Sequence, residues 1–178
     1  MRSDWKKVMI IGCGGAGKTT LAYDIGKILG LDVTHLDLLF WKPGWIETNK
    51  LKWKQIIEEI SSKKQWIIDG NYGGTIDIRL SAADTIIFLD MSRFSCLWRV
   101  LKRRILFNGR TRPDLTEGCP ERLSWRFIKW IWTFPKFKRP RLLEKLDACK
   151  NKKNVIFLRS NKKIKSFLKN LQQSFKED

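Results

Sequence analysis

The sequence predicts an α/β fold in one domain: a parallel sheet of five strands with helices on both faces. Three observations predict it. Short apolar runs alternate with stretches of helical period along most of the chain; the first run opens into a glycine-rich loop; and 178 residues form a chain long enough to bury about 70% of its unfolded surface in one core.

The elements follow in order. Residues 8–11 are an apolar run and the first strand, and Leu21, Ala22, Ile25, Ile28 and Leu29 then recur at helical spacing before Gly30. Residues 31–36 read as a second strand. Trp53, Ile56, Ile57 and Ile60 mark an amphipathic helix entered through Thr48 or Asn49, and residues 66–69 are a third strand. Residues 85–90 form a fourth strand, followed by a basic helix from about 92 to 107. Residues 154–158 form the fifth strand, ahead of a lysine-rich final helix. Between 108 and 140 the rhythm breaks. Pro113, Pro120, Pro135 and Pro140, two glycines and three tryptophans fall there, which reads as a lid-type insertion covering a site within a single domain spanning 1–178.

The net charge of +18 is regional. Residues 1–90 hold 12 Lys/Arg against 11 Asp/Glu, whereas residues 91–141 hold 14 against 3 and residues 150–178 hold 9 against 2. Such an excess calls for an anionic partner, with phosphate-bearing ligands first and non-specific nucleic acid second. Cys13, Cys96, Cys119 and Cys149 are far apart in sequence, lack C-x-x-C spacing and have one histidine, His35, with which to share a metal. They read as reduced thiols. The opening residues offer neither a signal-peptide pattern nor a run approaching the ~20 apolar residues of a membrane span, so the expected setting is cytoplasmic, with no membrane partner.

The strongest motif is Gly12-Cys-Gly14-Gly15-Ala16-Gly17-Lys18-Thr19, followed by Thr20. It satisfies G-x-x-x-x-G-K-[ST] between a predicted strand and a predicted helix, the setting in which the motif binds phosphate. Loop amides and the helix N-terminus would cradle the phosphates of ATP, Lys18 would reach the β- and γ-phosphates, and Thr19 would ligate Mg²⁺. The same glycines spell Gly12-x-Gly14-x-x-Gly17, a dinucleotide fingerprint, with Asp37 twenty residues after Gly17. That rival leaves Lys18 and Thr19 without a purpose.

Carboxylates at strand ends complete the candidate site. Asp69 closes the third strand before Gly70 and Asp90 closes the fourth; one of them is the metal-side acid, and Asp69 is favoured because Gly70 lets the backbone approach a ligand. Asp37 either orients or deprotonates an acceptor hydroxyl or acts as a helix cap. His35 reads as a core or outer-shell residue, and Trp41 and Trp45 as either a stacking platform or a cover. Phosphoryl transfer also needs arginines. Arg99, Arg103, Arg104, Arg110, Arg112, Arg122, Arg126, Arg139 and Arg141 lie on or after the basic helix, and at least two of Arg104, Arg110 and Arg112 are expected to reach phosphate from a mobile flap.

With these residues in view, the chain resembles the P-loop kinases related to adenylate and shikimate kinases. More closely, it is similar to bacterial proteins labelled DNA topology modulation or flagellar-regulator-related. The closer likeness rests on His35-Leu-Asp-x-Leu-Phe-Trp-Lys-Pro-Gly-Trp45, Trp66-Ile-Ile-Asp-Gly-Asn-Tyr72, Thr85-Ile-Ile-Phe-Leu-Asp90 and Arg110-x-Arg-Pro-Asp-x-x-Glu-Gly-Cys-Pro-Glu121, covering nearly the whole chain. The resemblance implies a sheet of order 2-3-1-4-5, an ATP site on residues 12–20, an acceptor site near Asp37, Tyr72 and Arg79, and an arginine-bearing lid after Arg104. One departure stands out: where adenylate kinases follow the third-strand Asp-Gly with Phe-Pro-Arg, this chain has Asn71-Tyr72-Gly73-Gly74, and the next arginine is Arg79. The shikimate-kinase lid has an Arg-Pro step resembling Arg112-Pro113. The function these residues lead one to expect is ATP- and Mg²⁺-dependent phosphoryl transfer to a small anionic acceptor, catalysed by Lys18, Asp37, Asp69, Arg104, Arg110 and Arg112. The alternative is a nucleic-acid-associated ATPase or regulator.

Overall fold

The computed structural model describes residues 5–112 and 114–176; Pro113 of the Arg-Pro step lies outside the described residues. The chain runs β1 (Lys7–Gly12), α1 (Lys18–Leu29), β2 (Val33–His35), α2 (Leu36–Phe40), β3 (Trp41–Lys42), β4 (Ile46–Glu47), α3 (Lys50–Ser62), β5 (Trp66–Asp69), α4 (Ile76–Ala82) and β6 (Thr85–Leu89). It continues with α5 (Arg93–Leu106), α6 (Trp125–Phe137), α7 (Arg139–Cys149), β7 (Asn154–Leu158) and α8 (Asn161–Lys176). β1, β5 and β6 are almost wholly buried apolar runs, as strands covered on both faces must be.

These strands, with β2 and β7 at the edges, form a parallel sheet of order β2-β5-β1-β6-β7. The numbers differ from the expected 2-3-1-4-5 because a small antiparallel hairpin, β3–β4, intervenes, and the sequence reading did not count it. With the hairpin set aside, the path through the sheet is second, third, first, fourth, fifth. β1 therefore lies between β5 and β6, with β2 outside β5. A dinucleotide-binding sheet instead pairs its first strand with its second, so this topology removes the rival reading of the glycine loop.

Local chemistry sets the element ends. The Asn49 side chain accepts from Leu51 N at 2.9 Å and starts α3, and Ser92 accepts from Ser95 N at 3.3 Å and starts α5. β2 is shorter than expected because Leu36, fully buried, already belongs to α2. The region from 108 to 140 is half irregular and half helical. Ser124 caps α6 through Phe127 N at 3.1 Å, and Pro135 is carried within the helix. Among the described residues no helix is long and apolar enough to cross a membrane.

Candidate active site

The loop between β1 and α1 is shaped by backbone constraints that exclude larger residues. Gly15 has φ +76°, and a Cβ there would stand 2.5 Å from the Cys96 carbonyl oxygen of α5. Gly17 precedes α1 with no side-chain cap, and the first turn carries no acidic residue. The N-terminal amides of α1 thus keep their hydrogens for an anion. Ala16 is buried against the core, Gly14 is half-buried and Thr20 is exposed. Lys18 folds back along the loop, donating from Nζ to the carbonyls of Gly12 at 3.1 Å and Cys13 at 3.0 Å.

Strand register brings the acids to this loop. β5 pairs Asp69 with Ile10 of β1 on one side and His35 of β2 on the other. Thr19 Oγ1 donates to Asp69 Oδ2 at 3.0 Å, and His35 Nδ1 lies 2.7 Å from Asp69 Oδ1. That hydrogen bond, helped by the carboxylate charge, holds His35 above its ordinary pKa against the effect of burial. A hydroxyl beside a buried carboxylate at the foot of a phosphate loop is the hard-oxygen set that suits Mg²⁺, so these residues fit that ion.

Asp90, the other candidate acid, is committed elsewhere. Arg139 grips it through Nε at 2.7 Å and Nη2 at 2.8 Å, and Arg159 Nε donates to it at 3.3 Å. The Arg139 hydrogen bonds hold its carboxyl below the usual range. Gly70 has φ +135°, and a Cβ there would meet the Leu36 side chain at 2.9 Å, so glycine at this position leaves room for the start of α2.

The loop after β5 links the phosphate side to the expected acceptor side. Asn71 locks onto Gly12, donating from Nδ2 to its carbonyl at 2.7 Å and accepting from its N–H at 3.0 Å. Tyr72 adopts a left-handed conformation, φ 35°, uncommon for a bulky residue. Its hydroxyl donates to Asp37 Oδ1 at 2.5 Å, and burial together with the Asp37 charge pushes its own pKa up. Asp37 sits in the first turn of α2, whose cap position is His35. Phe40 and Trp53 pack on the Tyr72 ring with centroids 4.7 Å and 4.8 Å away, and Trp41 meets Trp45 at 5.3 Å.

Arg79 differs from its expected place against an acceptor. It is fully buried, donating to the carbonyls of Gly70 at 2.7 Å, Asn71 at 2.5 Å and Tyr72 at 3.3 Å. It holds the strained loop in shape, and burial pulls its pKa down to about 10.

Of the arginines expected to reach phosphate, Arg104 and Arg112 have partners within the chain and Arg110 is exposed. Arg112 Nε lies 2.9 Å from Glu121 Oε2 as an ion pair, though not aligned for a hydrogen bond, and Nη1 lies 3.4 Å from Asp114. Arg103 Nε donates to the other Glu121 oxygen at 3.1 Å. Arg104 bonds Asn108, and Arg110 is exposed. The segment carrying them rests on the β3–β4 hairpin: Thr116 Oγ1 donates to Trp41 O at 2.7 Å, Gly44 N to Gly118 O at 2.9 Å and Trp45 Nε1 to Pro120 O at 3.1 Å.

Arg99 is the arginine at the phosphate loop, donating to Ala16 O at 2.6 Å and Gly15 O at 3.3 Å while also bonding Asn161. Cys13 and Cys96, distant in sequence, are both buried free thiols of the core. Sequence reasoning named Arg99 among the arginines suited to phosphoryl transfer and read His35 as a core or outer-shell residue, but gave Asn71 no share in the site. The signal for Asn71 was present, because it lies two residues after the singled-out Asp69.

No family model matches the chain, and no curated protein sequence matches it significantly. Solved structures do. A shikimate kinase from Acinetobacter baumannii in complex with shikimate aligns over 97% of this chain and 93% of its own, with TM-score 0.62 and 15% identity. A gluconokinase from Sinorhizobium meliloti 1021 aligns over 99% and 94%, with TM-score 0.55 and 13% identity. A five-stranded parallel sheet, a phosphate loop after its central strand and this likeness together make the fold that of the P-loop kinases.

Proposed function

We propose that the protein is an ATP-dependent phosphotransferase acting on a small hydroxyl-bearing acceptor. The observation that carries the reading is the Thr19 hydroxyl donating to buried Asp69 across the phosphate loop. Lys18 exchanges its two loop carbonyls for the β- and γ-phosphates, and the amides of residues 12–20 hold the remaining phosphate oxygens. Thr19 and Asp69 would hold Mg²⁺, which would supply positive charge to neutralise that of the phosphates. His35 keeps Asp69 turned toward Thr19.

The acceptor sits between α2 and the loop after β5, with its hydroxyl at Asp37 and Tyr72. In the transfer, the bond from the γ-phosphorus to the ADP oxygen breaks, a bond to the acceptor oxygen forms, and the acceptor proton passes to Asp37. Arg99 lies beside the phosphates. Arg104 and Arg112 reach the moving phosphoryl by leaving Asn108 and Glu121, and exposed Arg110 moves with the same segment. The acceptor was expected to be anionic, in keeping with the regional positive charge; Arg79, expected beside it, has its guanidinium taken by backbone carbonyls, so the part of the acceptor facing Asp37 is read as a neutral hydroxyl. The nucleic-acid alternative, including the likeness to DNA topology modulation proteins, has no contact geometry behind it.

Calorimetric titration of ATP, ADP, AMP and NAD, with and without Mg²⁺, tests the reading. The expected result is saturable Mg²⁺-enhanced ATP binding that Lys18→Ala abolishes, followed by a phosphorylated product from a screen of sugar, polyol and shikimate-like acceptors. ATP binding indifferent to both Mg²⁺ and Lys18→Ala would overturn it.

A further inference from the structure

α5 and α6 turn a surface outward that no other described part of the chain covers. On α5, Phe94, Trp98, Leu101 and Ile105 follow at intervals of three or four residues, and all are exposed, Trp98 at 68% and Ile105 at 77%. On α6, Trp125, Lys129, Trp132 and Lys136 share one stripe by the same spacing, and Trp125 is 78% exposed. The stripes meet where the Phe94 and Trp132 rings cross edge to face at 5.8 Å, with the Arg93 guanidinium 4.1 Å from the Trp132 centroid. Single exposed apolar side chains need no explanation, but a contiguous patch marks an interaction.

The charge on this face narrows the partner. Neither helix contains an acidic residue, so every charged side chain on both is a lysine or arginine. We propose that this face docks on an anionic lipid surface, with the two exposed stripes seated in the interfacial zone. Tryptophan rings settle at that depth, aliphatic side chains reach below it, and lysines such as Lys129 and Lys136 extend back to head-group phosphates. A second copy of the chain would set like charges against each other. A single nucleic-acid strand would stack on the aromatic rings but leave Leu101 and Ile105 without a role. The absence of a spanning segment concerns crossing a bilayer, whereas this surface lies on one.

The test uses the full chain, co-sedimented with vesicles of phosphatidylcholine alone or mixed with phosphatidylglycerol, at about 0.15 M salt where surface charges are partly screened. The expected result is partition onto the anionic vesicles only. Lys129→Gln with Lys136→Gln weakens partition about fivefold per charge removed. Trp98→Ser with Ile105→Ser weakens it at least about tenfold through lost apolar burial. All four positions are exposed, and circular dichroism verifies that each variant folds. The proposal is overturned if anionic vesicles bind no better than neutral ones, or if the apolar pair of substitutions leaves partition unchanged. It is equally overturned if vesicles are ignored while a single-stranded oligonucleotide, or a second copy seen as a dimer in sedimentation, is lost on the same substitutions.

Discussion

At the residue scale, the side chain that most repays perturbation is His35. It touches no phosphate-loop group itself but fixes one oxygen of Asp69, leaving the other for Thr19. Partners of this kind change metal affinity by about tenfold to a hundredfold when removed. His35→Asn is expected to raise the half-saturating Mg²⁺ concentration for ATP binding by about tenfold while leaving Mg²⁺-free ATP affinity unchanged; equal losses in both would mean the residue serves folding alone. The placement of Lys18, Thr19, Asp37 and Asp69 at the carboxyl ends of the parallel strands was legible in the sequence, because a motif or a strand end fixes each one locally. The partners of Asn71 and Arg79 were not, because their bonds go to backbone carbonyls and amides, which no side-chain pattern encodes.

At the scale of elements, Asp90 joins three of them. It directly follows β6, accepts from Nε and Nη2 of Arg139 at the start of α7, and accepts from Arg159 after β7. Its folded carboxyl titrates below the unfolded value, so this link is fully present above the unfolded carboxylate pKa, about 3.9, and is lost as pH falls through the folded one. Asp90→Asn is expected to cost about 1–2 kcal/mol at neutral pH, allowing for the solvent exposure of Arg139. The difference from the parent should shrink below about pH 4, as acid and thermal unfolding would measure; a constant difference would assign the effect to packing. Four strands of the main sheet were visible as apolar runs, and β2, Val33-Thr-His35, was placed within residues 31–36, yet the hairpin and α6 were not visible. β3 and β4 have two residues each, too short for any period, and α6 hides behind Pro135 and a tryptophan-rich composition that reads as irregular until Ser124 is recognised as its cap.

At the scale of the whole molecule, the +18 charge acts on stability as well as on partners. Its excess lies in residues 91–141 and 150–178, and like charges on a compact body repel one another. Added salt screens that repulsion over a Debye length of about 10 Å at 0.1 M. The melting temperature is therefore expected to rise by a few degrees, about 2–4 °C for each kcal/mol of relief, between low and moderate sodium chloride; a fall would show that ion pairs such as those around Glu121 and Asp90 outweigh the repulsion. The regional charge was legible at once, but its meaning depended on the structure, which separates the arginines tied to Glu121 and Asp90 from the cations left on the outer faces of α5 and α6.

The central position of β1 has a consequence for how the chain comes to be folded. β1 leaves the ribosome before the other strands of its sheet, yet its neighbours are β5 and β6, so the apolar run from Val8 to Ile11 waits unpaired until Trp66–Asp69 and Thr85–Leu89 have been made. Loop closure over such separations is slow, placing refolding in the millisecond-to-second range typical of non-local sheets. The waiting strand is the part of the nascent chain most exposed to misassociation. Stopped-flow refolding followed by tryptophan emission should show no faster phase carrying full native signal, and a chain truncated before β5 should remain unfolded and aggregate.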